Sequence, residues 1–182
     1  TRAYCAWNKM NQRCRSFKNT YNKFKSFQDF AEWCQTQPGY RLLDSENRYW
    51  ALDKDTLALS IDQKVYSAES CCFIPQYLNK VLCASDSIRG DYPIGVSLLK
   101  NTGKFMSYCK TTGNGGREIF GYFTTPEEAH LHWQLGKIKA LKNAIHRYES
   151  ENESSLRVAQ ALKLRIEILS SDIKLKRETI KI

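Results

Sequence analysis

The four residues LDKD, positions 52 to 55, set Lys54 between two carboxylates, Asp53 and Asp55. Lysine keeps its proton at neutral pH, and a carboxylate on either side favours the charged form. Lys54 therefore suits contact with a phosphate or electrostatic stabilisation of a leaving group, and it does not suit activation of water. The three histidines, His130, His132 and His146, all lie in one late helical segment. Each is expected to be structural or solvent-facing, since a lone helical histidine needs a partner before it forms a site. None of the seven cysteines forms a CxxC pair, so no structural zinc site is expected. Cys5, Cys14 and Cys34 fall among aromatic residues and read as reduced, buried thiols.

Charge is the next signal, because it is uneven. The net charge is +9. Residues 1 to 36 carry seven basic side chains (Arg2, Lys9, Arg13, Arg15, Lys18, Lys23 and Lys25) against Asp29 and Glu32. Residues 37 to 92 are mildly acidic, and residues 93 to 148 carry eight basic groups against three acidic ones. Two basic regions flanking an acidic centre suit a protein that holds a phosphate backbone at both ends. With 42% hydrophobic residues the chain can bury a core. No apolar run approaches the roughly 20 residues needed to cross a bilayer, and no signal-peptide pattern opens the chain. The expectation is a cytoplasmic protein with no membrane partner.

The elements that must position these groups follow from periodicity. Tyr4, Trp7, Met10, Cys14 and Phe17 repeat at helical spacing, and residues 18 to 25 read as a connection. Ser26 caps a second helix with a stripe of Phe27, Phe30, Ala31 and Cys34, ended by Pro38-Gly39. These aromatics are expected in a core. From Tyr40 to Tyr66 the pattern predicts a hairpin, RYWALDKD paired with KVYS through a polar turn at 60 to 63. A helix starts at or just after Pro75, and residues 83 to 93 read as a linker. Three short strands follow, IGVSLLK, KFMSYCKTT and REIFGYF, joined at Asn101-Thr102-Gly103 and at GNGG. Thr124-Thr125-Pro126 then opens a long helix, with Ala129, Trp133, Ile138 and Leu141 on its buried face. After ESENESS, a last amphipathic helix has a seam of Ala159, Leu162, Ile166, Leu169, Ile173 and Ile180. That seam either folds back on the body or meets another chain. The fold class is α+β, with expected modules at 1–85, 92–148 and 149–182.

Four blocks in order, FKSFQDFAEWC, LDKD, KVYSAESCCFIPQYLN and YPIGVSLLKNTGKF…GYFTTPEEA, resemble phage-encoded HNH homing-endonuclease-like proteins. In that family an HNH module of the ββα-metal type precedes a DNA-binding domain of the APETALA/ethylene-response type. The likeness covers roughly residues 1 to 145. It implies one divalent ion, Mg or similar, held by Asp53 and by Asn79 on the following helix, with Asp55 as a neighbouring catalytic carboxylate that helps with metal or water. Lys54 stands where the family's general-base histidine would be, and there it would contact the scissile phosphate.

In the second module the resemblance places Lys110 and Arg117 at basic contact positions, with Lys104 after the first hairpin turn, Lys100 close by and Tyr108 on the same face. The chain departs from the pattern where Ile94, Ser97 and Leu99 replace arginines and Ile119 replaces a tryptophan, removing the best guanine readers. Arg13 and Arg15 of the basic N-terminal helix are expected to help hold the duplex. The implied function is a phage-type DNA-binding protein derived from an HNH endonuclease, acting on double-stranded DNA in the host cytoplasm, with weak or lost cleavage. The rival is a non-enzymatic phage protein that uses the same scaffold to bind and inhibit a host protein, the C-terminal helix serving self-association or partner binding.

Overall fold

The computed structural model describes residues 1–58, 64–83, 91–111 and 117–182. The architecture is α+β, in two compact units: Thr1–Gln76 with Asn152–Ala161, and Tyr77–Glu151 with Leu162–Ile182. The polar turn at 60–63 and the GNGG turn lie outside the described residues, as does most of the linker.

The first unit is built on aromatic packing. Helix α1 (Arg2–Ser16) is capped by Thr1, whose hydroxyl accepts from the Tyr4 amide. Helix α2 (Phe27–Thr36) is capped by Ser26, whose Oγ accepts from the Asp29 amide at 3.1 Å. Phe30 is fully buried, with ring centroids 5.5 Å from Trp7, 5.0 Å from Phe24 and 5.8 Å from Trp33. These rings are core, as the helical stripe implies. Cys34 joins them, whereas Cys14 is half-buried and Cys5, Tyr4 and Phe17 are exposed, because α1 buries only the side that carries Ala3 and Met10. Gly39, at φ +76°, is required where it stands, because a Cβ there would sit 2.1 Å from Trp50 Cε3. Residues 152–161 belong to this unit through Glu153, which accepts from the Gly39 amide at 2.7 Å, and Arg157, which donates to the Glu69 carbonyl at 2.6 Å.

Strand pairing in this unit corrects the expected hairpin. Strand β1 (Thr20–Asn22) lies in the stretch read as a connection. Strand β2 (Ala51–Asp53) does not pair with β3 (Lys64–Tyr66). It runs antiparallel to β4 (Cys72–Ile74), with Ala51 opposite Ile74 and Asp53 opposite Cys72, while β3 runs parallel to β1. The physical reason is burial. Cys72, Phe73 and Ile74 are all buried, so β4 is a short apolar run that periodicity cannot separate from a helix. The β1–β3 ladder joins distant segments, Thr20 with Lys64, and no local pattern announces it. Helix α3 (Gln76–Leu82) starts directly after Pro75, as predicted.

In the second unit, strands β5 (Val96–Leu99), β6 (Lys104–Lys110) and β7 (Arg117–Phe123) form the expected antiparallel sheet in that order. Helix α4 (Pro126–Glu149) packs on one face, capped by Thr125, which accepts from the Glu128 amide at 3.2 Å. Ala129, Trp133 and Leu141 are buried as the stripe implies, and Ile138 is half-buried. Two glycines permit this packing: a Cβ at Gly95 would lie 1.8 Å from Trp133 Cδ1, and one at Gly136 would lie 2.2 Å from Phe120 Cζ. Helix α5 (Leu156–Lys174) ends earlier than its seam implies, because Lys176 turns left-handed at φ +52° and the Arg177 amide closes on the Asp172 carbonyl at 3.0 Å. Leu162 and Leu169 are fully buried, so the seam is used within the chain, whereas Ile180, beyond the helix, is 71% exposed.

Candidate nucleic-acid interface

The face of the β5–β6–β7 sheet turned away from α4 is set by alternation along β6. Ser107 and Cys109 are buried under the helix, so Lys104, Met106, Tyr108 and Lys110 point to the other side. Residues paired across an antiparallel ladder share a face. Lys104 pairs with Leu99, Met106 with Ser97 and Tyr122, Tyr108 with Ile119, and Lys110 with Arg117. One surface therefore brings together Lys104, Lys110 and Arg117 around Met106, Tyr108, Ile119 and Tyr122. The Arg117 guanidinium lies over the Tyr108 ring, 4.7 Å from its centroid, a cation–π contact. Among the described residues of the three strands, no carboxylate occupies this face, since Glu118 pairs with Cys109 on the helix side. Lys100 is exposed in the turn after β5.

Tyr122 and Met106 are additions to the expected set. Met106 follows from the period of two that starts at Lys104. Tyr122 does not follow from any count. A bulge between Ser107 and Tyr108 inserts Phe120 into β7, so stepping by twos from Arg117 assigns Tyr122 to the wrong side. Phe120 instead faces Gly136 on α4, Gly121 adopts φ +146° beside the bulge, and Tyr122 emerges 53% exposed.

The LDKD segment in the first unit is a closed turn. Asp53 Oδ2 accepts three hydrogen bonds, from the Asp55 amide at 3.0 Å, the Thr56 amide at 2.6 Å and the Thr56 hydroxyl at 2.7 Å. This is a carboxylate capping its own backbone, the usual work of an Asx turn. Lys54 is nearly buried; its ammonium pairs with Asp55 at 2.5 Å and sits 5.5 Å from the Tyr66 ring centroid. Within the first unit, the Asp53 and Asp55 carboxylates therefore already have protein partners. Asp53 Oδ2 is saturated and Asp55 is tied to a cation; in the second unit, Asn79 Oδ1 lies 3.9 Å from Cys83 Sγ. Among the described residues, no group of three or more His, Cys, Asp or Glu side chains is arranged to hold an ion.

The basic helix divides its two arginines. Arg13 Nη1 donates to the Tyr66 hydroxyl at 3.3 Å, and that bond is the first cause holding its guanidinium above the ordinary value. Burial pushes the Tyr66 hydroxyl up. Arg15 is exposed, with Nε donating to the Asn11 carbonyl at 3.3 Å. Both arginines are exposed, but Arg13 is tied to Tyr66 across the first unit, whereas Arg15 bonds only within its own helix.

The histidines take both of the expected roles. His130 is buried, with Nδ1 2.9 Å from the Ile94 carbonyl oxygen and Nε2 accepting from the Thr179 amide at 3.0 Å. His132 is exposed and stacks on Phe123 at 4.4 Å, and His146 is exposed. Among the described residues, no helix is long and apolar enough to cross a membrane.

No family model, no curated protein and no solved structure matches this chain.

Proposed function

We propose that this chain is a phage-type DNA-binding protein of HNH homing-endonuclease ancestry that grips nucleic acid with the open face of its three-stranded sheet and has lost most or all metal-dependent cleavage. One observation carries the reading: Lys104, Lys110 and Arg117 share a sheet face with no opposing carboxylate among the described residues. Cations in that arrangement neutralise phosphates and release counterions, so affinity falls steeply as salt rises. Sequence preference should be poor, because one stacked arginine remains where several groove readers would be needed. The ancestry rests on the four resembling blocks. The closed Asp53 turn supports loss of cleavage.

The test is fluorescence anisotropy of labelled DNA across a salt series, with wild type beside a Lys104→Ala/Lys110→Ala/Arg117→Ala variant. Wild type should show a steep log–log slope, and the variant one shallower by about two to three. Equal slopes for the two proteins would remove DNA from this face. A second reading, a non-enzymatic protein that binds and inhibits a host protein, is favoured by the 48% exposure of Ile119 beside Tyr122. It gains if a stoichiometric host partner stays bound after nuclease treatment, and it falls if everything captured leaves with the DNA.

A further inference from the structure

The centre of the open sheet face is apolar and aromatic, and its rim is cationic. Met106, Tyr108, Ile119 and Tyr122 form two adjacent cross-strand pairs, Met106 with Tyr122 and Tyr108 with Ile119. Lys104 lies at one end of β6, and Lys110 with Arg117 at the other. From Lys104 to Lys110 the strand runs on the order of 20 Å. We infer that this face takes single-stranded nucleic acid, with unpaired bases lying on Tyr122, Met106 and Ile119 and the phosphates reaching Lys104, Lys110 and Arg117. The inference rests on the DNA-binding reading above and names the form of nucleic acid that this face prefers.

The choice between duplex and single strand follows from what each offers the centre of the face. A duplex groove presents base edges, rows of hydrogen-bond donors and acceptors that want partners. Met106 and Ile119 have none to give, and covering those edges with them would desolvate polar groups without replacing their bonds. Unpaired bases present flat π surfaces, which stack on tyrosine and pack on methionine and isoleucine whatever their sequence. Arg117 is the one guanidinium on the face among the described residues, and it already lies against Tyr108 rather than standing out toward a guanine. Stacked in that way it extends the platform and still neutralises phosphate. A sheet of this length accommodates about two or three bases.

The experiment uses the full chain and three labelled probes of equal length: oligothymidylate, oligouridylate and a mixed-sequence duplex, compared at one salt concentration and then across a salt series. The single strands should bind about tenfold or more tightly than the duplex. Tyr122→Ala should weaken single-strand binding about tenfold without changing the salt slope, and Tyr122→Phe should restore it. Met106→Ala serves as the second variant, with circular dichroism confirming that each is folded. The two single-stranded probes separate DNA from RNA through the 2′-hydroxyl. A duplex bound as tightly as the single strands, or a folded Tyr122→Ala protein that binds like wild type, would overturn the inference and leave the DNA-binding reading standing. Absence of salt-dependent binding to all three probes would remove both.

Discussion

Asp53 shows how one carboxylate changes its meaning with its partners. In the sequence it stands where a metal ligand is expected, and in the fold its Oδ2 closes a turn with three donors. Asp53→Ala should therefore cost about 1–2 kcal/mol of stability, because two amides and a hydroxyl lose an acceptor. Thermal midpoints of wild type and variant, measured in EDTA and in Mg, should differ by the same amount in both buffers. A midpoint that rises with Mg in wild type alone, together with Mg-dependent plasmid nicking, would assign Asp53 to a metal instead. Lys137 is the opposite case, a residue with no signal in the sequence. It is buried on α4, donates to the Val81 carbonyl, and complete burial lowers its ammonium from 10.5 to about 8. Cys109 and Cys83 oppose that shift, while Arg165 and Lys110 add to it. The unfolded chain thus binds more protons than the folded one between pH 8 and 10.5, so this group's contribution to stability rises with pH across that window, by on the order of 3 kcal/mol. Thiols have the reverse linkage: burial pushes Cys34 and Cys71 up to about 12, which lowers stability above their ordinary 9.0. The Lys137 effect is consequently read as a difference between two proteins. Chemical denaturation should show Lys137→Met as more stable than wild type near neutral pH, with the gap narrowing between pH 8 and 10.5 and flat above it.

At the scale of elements, the bulged sheet and the helix packed on it impose most of the geometry. The Phe120 insertion turns Tyr122 outward, and Gly136 leaves room for the displaced phenyl ring. Two turn glycines separate backbone strain from packing. Gly103 has φ +66° with nothing within 4 Å of an added Cβ, whereas Gly95 has φ +79° with Trp133 Cδ1 at 1.8 Å. Gly103→Ala should cost about 1 kcal/mol, the left-handed backbone alone. Gly95→Ala should cost about 3 kcal/mol or more, since the indole must also move. Urea titrations of the two variants check the ranking. Equal costs would mean that Trp133 does not close over Gly95.

At the scale of the whole chain, residues 175 to 182 act as a clasp within the second unit. Thr179 donates its amide to His130 Nε2, so the ring proton sits on Nδ1 and points to the Ile94 carbonyl. The Thr179 hydroxyl donates to Asp172 at 2.7 Å, and Gln134 donates to that hydroxyl at 2.9 Å and to the Arg177 carbonyl at 3.1 Å. Arg177 closes the set by pairing with Asp172. Truncation after Lys174 removes several of these bonds from buried groups at once, each worth about 1–3 kcal/mol when its partner is left buried. The shortened chain should lose a large part of the second unit's stability, seen as faster hydrogen exchange of α4 amides. Unchanged exchange would show that the clasp is ornamental to that unit.

Local chemistry in the sequence determined the helices with strong caps and stripes, α1, α2 and α4, and the order of the three-stranded sheet. It also placed Lys104, Tyr108, Lys110 and Arg117 on neighbouring strands, because periods of two and of three to four are written residue by residue. Tertiary structure alone decided that β2 pairs with β4, that Tyr122 faces outward past the bulge, and that Lys137 and His130 are interior. These outcomes depend on contacts between distant segments, which compete through burial and backbone pairing over the whole chain. No window of neighbouring residues contains that competition, and so none could have revealed its result.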